Sequence, residues 1–131
     1  MLRLFSLFGR SAEQNALDDA LRAAGLHPLL VPEAVKLTVL RLHRRAKAAG
    51  SGAAGSEAPG YGDTAALLAY CLLGHAGFLD TNGSAEADRA ESRVEAAVAA
   101  GGSFDAKIIL LALHAGLIAP DIAERFDLEA G

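Results

Sequence analysis

Ser103-Phe104-Asp105-Ala106-Lys107-Ile108-Ile109-Leu110-Leu111-Ala112-Leu113-His114-Ala115-Gly116 reads as one complete helix. Ser103 stands where an N-cap side chain accepts a hydrogen bond from a free backbone N–H. Phe104 to about Ala115 is apolar nearly all round, and Gly116 supplies the stop. A helix with almost no polar face has to be covered by other elements, and the covering elements are helices too. The stretch therefore sets the fold class as all-α.

The flanking sequence carries the same punctuation. Asp63 is expected to cap a second apolar helix from Thr64 to about His75, which joins Phe104–Ala115 at the centre. After the turn Asp80-Thr81-Asn82-Gly83, Ser84 is read as the cap of a helix from about Ala85 to Ala100, ended by Gly101-Gly102. Pro120 opens a short last helix that runs to about Asp127. Towards the N-terminus, Ser11-Ala12-Glu13-Gln14 forms a capping box. The helix behind it has Leu17, Ala20, Leu21 and Ala24 on one face and stops at Gly25. Pro32 opens another helix with Val35, Val39, Leu42 and Ala46 as its core stripe. Leu26 to Val31 is read as extended, because residues before prolines avoid the helical region. Leu2 to Phe8 fits a short strand and the start of a helix equally well. The expected architecture is a compact bundle of five to six helices with a short extended N-terminal segment. It forms one domain over residues 1–131, with a flexible Gly-rich connector at 50–62.

Composition supports this reading. Hydrophobic residues are 52% of the chain and aromatics only 5%, so the core is built mainly from Ala and Leu, the best helix formers. A chain of 131 residues buries roughly two-thirds of its unfolded surface and needs no disulfide or metal to fold. The single Cys71 cannot form an internal disulfide. The first ten residues are too weakly patterned for a secretory leader, and the uncharged run from Thr64 to Leu79 is shorter than a bilayer span. No transmembrane segment is expected, and the Ala-rich composition fits a cytoplasmic, bacterial protein.

Net charge is −4, against nucleic acid as a partner, and it is unevenly divided. Residues up to Gly50 carry +4 and those from Ser51 onward carry −8. Lys36, Arg41, His43, Arg44, Arg45 and Lys47 cluster on the helix after Pro32, which makes them the candidate partner-binding residues. A basic helix of this kind can meet an acidic protein or an anionic surface, or it can dock on Glu86, Glu91 or Glu95 of the same chain.

The remaining motifs are weak. Gly50 to Gly55 spells the glycine spacing of a dinucleotide fingerprint, but it follows a basic helix instead of a strand. Cys71 and His75 are four apart and share a helix face, two ligands where a structural zinc wants four. His75-Ala76-Gly77 and His114-Ala115-Gly116 both look like helix stops. No catalytic residue set and no cofactor motif emerges. The first functional reading is a non-enzymatic helical interaction module, with an acidic protein or a second copy of the chain as partner. The second is a small ligand- or metal-binding domain, enzymatic or not, with a pocket near His75 and His114. Asp80 to Glu91 resembles a degraded EF-hand loop whose required glycine is Ala85. Calcium is therefore expected not to bind, and titration calorimetry yielding a micromolar one-to-one isotherm would contradict that.

Overall fold

The computed structural model describes residues 12–50 and 60–128. Helix makes up 82% of them and no strand occurs among them. Six helices follow in order: α1 (Ala12–Ala23), α2 (Glu33–Gly50), α3 (Tyr61–Asn82), α4 (Ser84–Ala100), α5 (Phe104–His114) and α6 (Pro120–Arg125). The all-α bundle is as expected. Leu2–Phe8, the Ser11 cap and residues 51–59 of the connector lie outside the described residues.

α3 is the axis of the bundle and packs against α1, α4, α5 and α6. Leu67, Leu68, Ala69, Tyr70 and Phe78 on it are buried. α4 reaches it with small side chains, Ala87, Ala90, Val94 and Ala97, at helical spacing, so the two backbones approach closely. α5 packs on α2, α3 and α4 but is not enclosed, since Leu110 is half exposed. By length and composition, α3 is the one single helix among the described residues able to cross a membrane, and half of its most apolar stretch is buried in the bundle.

Several caps stand where the sequence puts them. The Ser103 hydroxyl accepts from the Ala106 N–H at 3.1 Å. After α1, the Gly25 N–H donates to the Arg22 carbonyl and the Leu26 N–H to that of Leu21, at 3.0 and 2.9 Å. The same double closure follows α5 at Gly116 and Leu117. It recurs after α6, where Asp127 rather than glycine takes the positive φ of 55°.

Other expectations are corrected. Leu26–Val31 is not an extended segment, because Pro28–Leu30 forms one 3-10 turn. The restraint before proline acts only on His27 and Val31, and these two are extended, with ψ of 127° and 116°. Between them Pro28 starts the turn, and His27 Nδ1 accepts the Leu29 N–H at 3.1 Å. Gly60, not Asp63, is the N-cap of α3, and Asp63 lies in its first turn. Ser84 is the first residue of α4, because Gly83 alone separates it from α3.

The largest correction concerns the end of α3. It does not stop near His75 but breaks at Gly74, with φ 87° and ψ 166°, and then continues helical to Asn82. His75-Ala76-Gly77 therefore begins the second half instead of ending the first. The break is stitched from the α5–α6 connection: the Ala119 N–H donates to the Cys71 carbonyl at 2.8 Å. The Asp121 carboxylate accepts the His75 N–H at 2.9 Å. A Cβ on residue 74 would meet Asp121 Oδ1 at 2.5 Å. Backbone of this kind is nearly restricted to glycine. Gly74→Ala should therefore cost about 2–3 kcal/mol, seen as a lower urea midpoint with unchanged slope.

Candidate interaction surface

α2 divides the six sequence-selected residues between two faces. Its inward face is Val35, Lys36, Val39, Leu40 and His43, all buried. Its outward face carries Leu37, Arg41, Arg44 and Arg45, with Lys47 exposed near the end. Lys36 and His43 thus leave the candidate partner set, because the spacing that seemed to align them with the basic residues aligns them with the core stripe.

Lys36 is 2% exposed, and its Nζ lies 3.2 Å from Asp18 Oδ1 on α1 and 3.9 Å from Glu33 Oε1. A buried lysine is tolerable because its aliphatic stem lies among apolar groups while its charge meets a carboxylate. Asp18 is the signal that sequence reading passed over, an acid adjoining Leu17 and one turn from Leu21 on the apolar side of α1. His43 is held by Thr64, with Nε2 to Oγ1 at 2.8 Å. Its ring meets Tyr61 and Phe104 edge-on, at 4.7 and 4.9 Å between centroids. It is a core histidine joining α2 to the first turns of α3 and α5.

The exposed residues behave differently. Arg44 Nη2 donates to Glu13 Oε1 at 2.7 Å, and the Tyr61 hydroxyl donates to Glu13 Oε2 at 3.4 Å. The hydrogen bond from Arg44 is the main reason the Glu13 carboxyl lies below its ordinary range. This pair is open to solvent and adds little to stability. The basic end does not dock on α4, with which α2 makes no contact, and two of the acids of α4 are engaged elsewhere. Glu86 faces Arg89 at 3.8 Å, and Glu91 accepts from Arg125 at 2.8 Å. Arg93 of α4 grips Asp105 through two bonds of 3.0 and 2.9 Å and donates to the Asp63 carbonyl at 2.8 Å.

The histidines of the second reading lie on different helices, α3 and α5. His75 Nδ1 lies 2.8 Å from the Tyr70 hydroxyl, while His114 is exposed at the end of α5. The break at Gly74 also separates Cys71 from His75, so the two no longer share a helix face. Among the described residues, no group of three or more His, Cys, Asp or Glu is placed to hold a metal ion. The stretch from Asp80 to Glu91 is helical on both sides of Gly83 and forms no loop.

An open cleft of about 220 Å³ lies between α4 and α5. Its lining includes Val98, Ile109, Leu110, Leu113, Leu128 and the Gly101-Gly102 turn, and all of it is apolar apart from backbone. Nothing in the sequence reading located it, because treating α5 as buried all round hid the side that faces solvent.

No family model, curated protein or solved structure matches this chain.

Burial pushes the Cys71 thiol and the Tyr70 phenol each up to about 12, from ordinary values of 9.0 and 10.0. The unfolded chain releases these protons first, so stability should fall as pH rises from about 9 to 12. Below that window Cys71 should resist alkylation in the folded protein and react on unfolding, because the thiolate is the reactive form. Rapid labelling of the native protein near neutral pH would contradict this.

Proposed function

We propose that the chain is a non-enzymatic, cytoplasmic helical interaction module whose basic α2 end receives an acidic protein. The observation that carries the reading is the outward set Arg41, Arg44, Arg45 and Lys47. All four are exposed, and among the described residues the only carboxylate paired with them is Glu13. The chain's own acidic helix does not neutralise them, so their field reaches solvent and can attract an anionic partner over roughly a Debye length, about 8–10 Å at ordinary salt. The cleft between α4 and α5 is lined by apolar side chains and backbone, with no converging polar side chains to orient a small substrate, which suits an interaction module better than a ligand-binding domain at that place.

Arg45→Glu together with Lys47→Glu tests this reading while leaving the Arg44–Glu13 hydrogen bond in place. The double variant should keep its melting temperature within a few degrees, since exposed charges contribute only about 0–1 kcal/mol each. Capture of acidic proteins by the immobilised wild-type chain should be salt-sensitive and should be lost with the variant. Recovery of the same proteins by both forms, or capture indifferent to salt, would refute the assignment.

A further inference from the structure

We propose that residues 2–8 seat in the α4–α5 cleft of their own molecule, with Phe5 at the centre of the seated stretch. The occupant follows from what the chain has left to offer. Three stretches lie outside the described residues: 1–11, 51–59 and 129–131. Residues 51–59 hold only Ser, Gly, Ala, Glu and Pro, and residues 129–131 are Glu-Ala-Gly, so neither stretch has a large apolar side chain. Residues 2–8 have five in seven positions: Leu2, Leu4, Phe5, Leu7 and Phe8. The hydrophobic effect drives a stretch of that composition out of water.

The cleft suits it in chemistry and in size. Its lining is apolar side chain and backbone, with Val98 and Leu110 about half exposed on opposite walls. At about 220 Å³ it exceeds the roughly 150 Å³ apolar cavity that takes a benzene molecule, and the phenyl ring of a phenylalanine is of that size. Charge does not select the occupant. Glu95 stands one turn before Val98 on one wall and Lys107 one turn before Leu110 on the other, and both are exposed. Apolar character is what the two surfaces share.

The tether is long enough. Phe5 stands seven residues before Ala12, a span of up to about 24 Å when extended. Ala12 opens α1, and its neighbour Glu13 accepts from the Tyr61 hydroxyl at 3.4 Å. The Tyr61 ring meets His43, and His43 meets Phe104, at 4.7 and 4.9 Å between centroids. Phe104 follows Gly102 of the cleft by two residues. Three side chains in a row thus connect the start of α1 to the end of the cleft. A tether of this length holds the segment at an effective concentration on the order of mM. The Leu29-Leu30 turn is also within range, since Gln14 on α1 donates to Glu33 at 2.8 Å on that side. That turn is convex, with its leucines 78% and 57% exposed, so it covers a side chain from one side only. The cleft covers it from two walls and removes more apolar area from water.

The chain has no tryptophan, so Phe5→Trp supplies a single fluorescent reporter in the full-length protein. Its emission should be blue-shifted. Acrylamide should quench it at least about threefold less than in Phe5→Trp/Leu110→Glu or Phe5→Trp/Val98→Glu, the factor reached when the effective concentration exceeds Kd a few times. Both cleft substitutions alter half-exposed side chains on opposite walls, and circular dichroism checks the helix content of each, so either one alone can decide. Phe5→Trp/Leu30→Glu should stay as shielded as the parent, and shielding should not vary with protein concentration. A reporter exposed in Phe5→Trp overturns the inference. So does shielding that Leu30→Glu relieves, shielding that neither cleft substitution relieves, or shielding that grows with concentration, which would mean that a second copy fills the cleft. None of these variants touches Arg41, Arg44, Arg45 or Lys47, so the result is independent of what the basic end binds.

Discussion

The bundle depends on a helix that is interrupted at its centre. α3 holds the largest share of the core, yet at Gly74 its hydrogen-bond ladder opens, and buried backbone groups left open in this way need partners. The partners come from one short segment, Ala119 to Asp121, which supplies an N–H to Cys71 and a carboxylate to His75. That stitching has consequences further along the chain. It sets α6 against the axis with Ile122 fully buried and Phe126 edge-on to Tyr70, and it brings Arg125 to Glu91 on α4. A six-residue helix has almost no stability alone. α6 exists because the break in α3 gives it something to cap.

A second constraint acts at the other side of the core. Lys36 and Asp18 lock α2 to α1 through a charge pair buried among Leu and Val side chains. Such a pair stabilises little relative to an apolar replacement of both residues, because two charges leave water to form it. Its effect is on register: sliding α2 by one turn would bury one charge against hydrocarbon and expose the other. His43 to Thr64 and Arg93 to Asp105 act likewise between other helix pairs. Specific polar contacts therefore align a core of small and aliphatic side chains that is otherwise free to slip.

This division explains what was legible in the sequence. Local chemistry was readable: Ser103, Gly25, Gly101, Gly116 and Pro120 all mark helix ends where they were expected, because a cap depends only on its own few residues. Where two glycines competed, local reading chose the wrong one. Gly74 and Gly77 lie three apart, and what selects Gly74 as the break is Asp121, distant in sequence and packed where no Cβ would fit. The candidate site divided for the same reason. The charge pattern left open whether Arg41, Arg44, Arg45 and Lys47 face solvent or the acidic half, and they face solvent, whereas Lys36 and His43, grouped with them by charge and spacing, are buried. A helical projection places both beside Val39 and Leu40, and only Asp18 and Thr64 on other helices make that burial tolerable.

The same contacts direct attention outward. The polar side chains within the bundle are occupied with one another: Lys36 with Asp18, His43 with Thr64, Tyr70 with His75, Arg93 with Asp105. Cys71 is held neutral by burial. Groups consumed in this way are poor candidates for chemistry, since a catalytic acid, base or nucleophile must reach a substrate as well as its neighbour. Surface features are the ones whose partners the bundle does not supply. Water screens exposed arginines at modest cost, but it gains nothing from an exposed leucine pair or an open apolar cleft. Of the features this chain turns outward, the apolar ones therefore carry the stronger thermodynamic demand for a partner, and the basic end carries the longer reach.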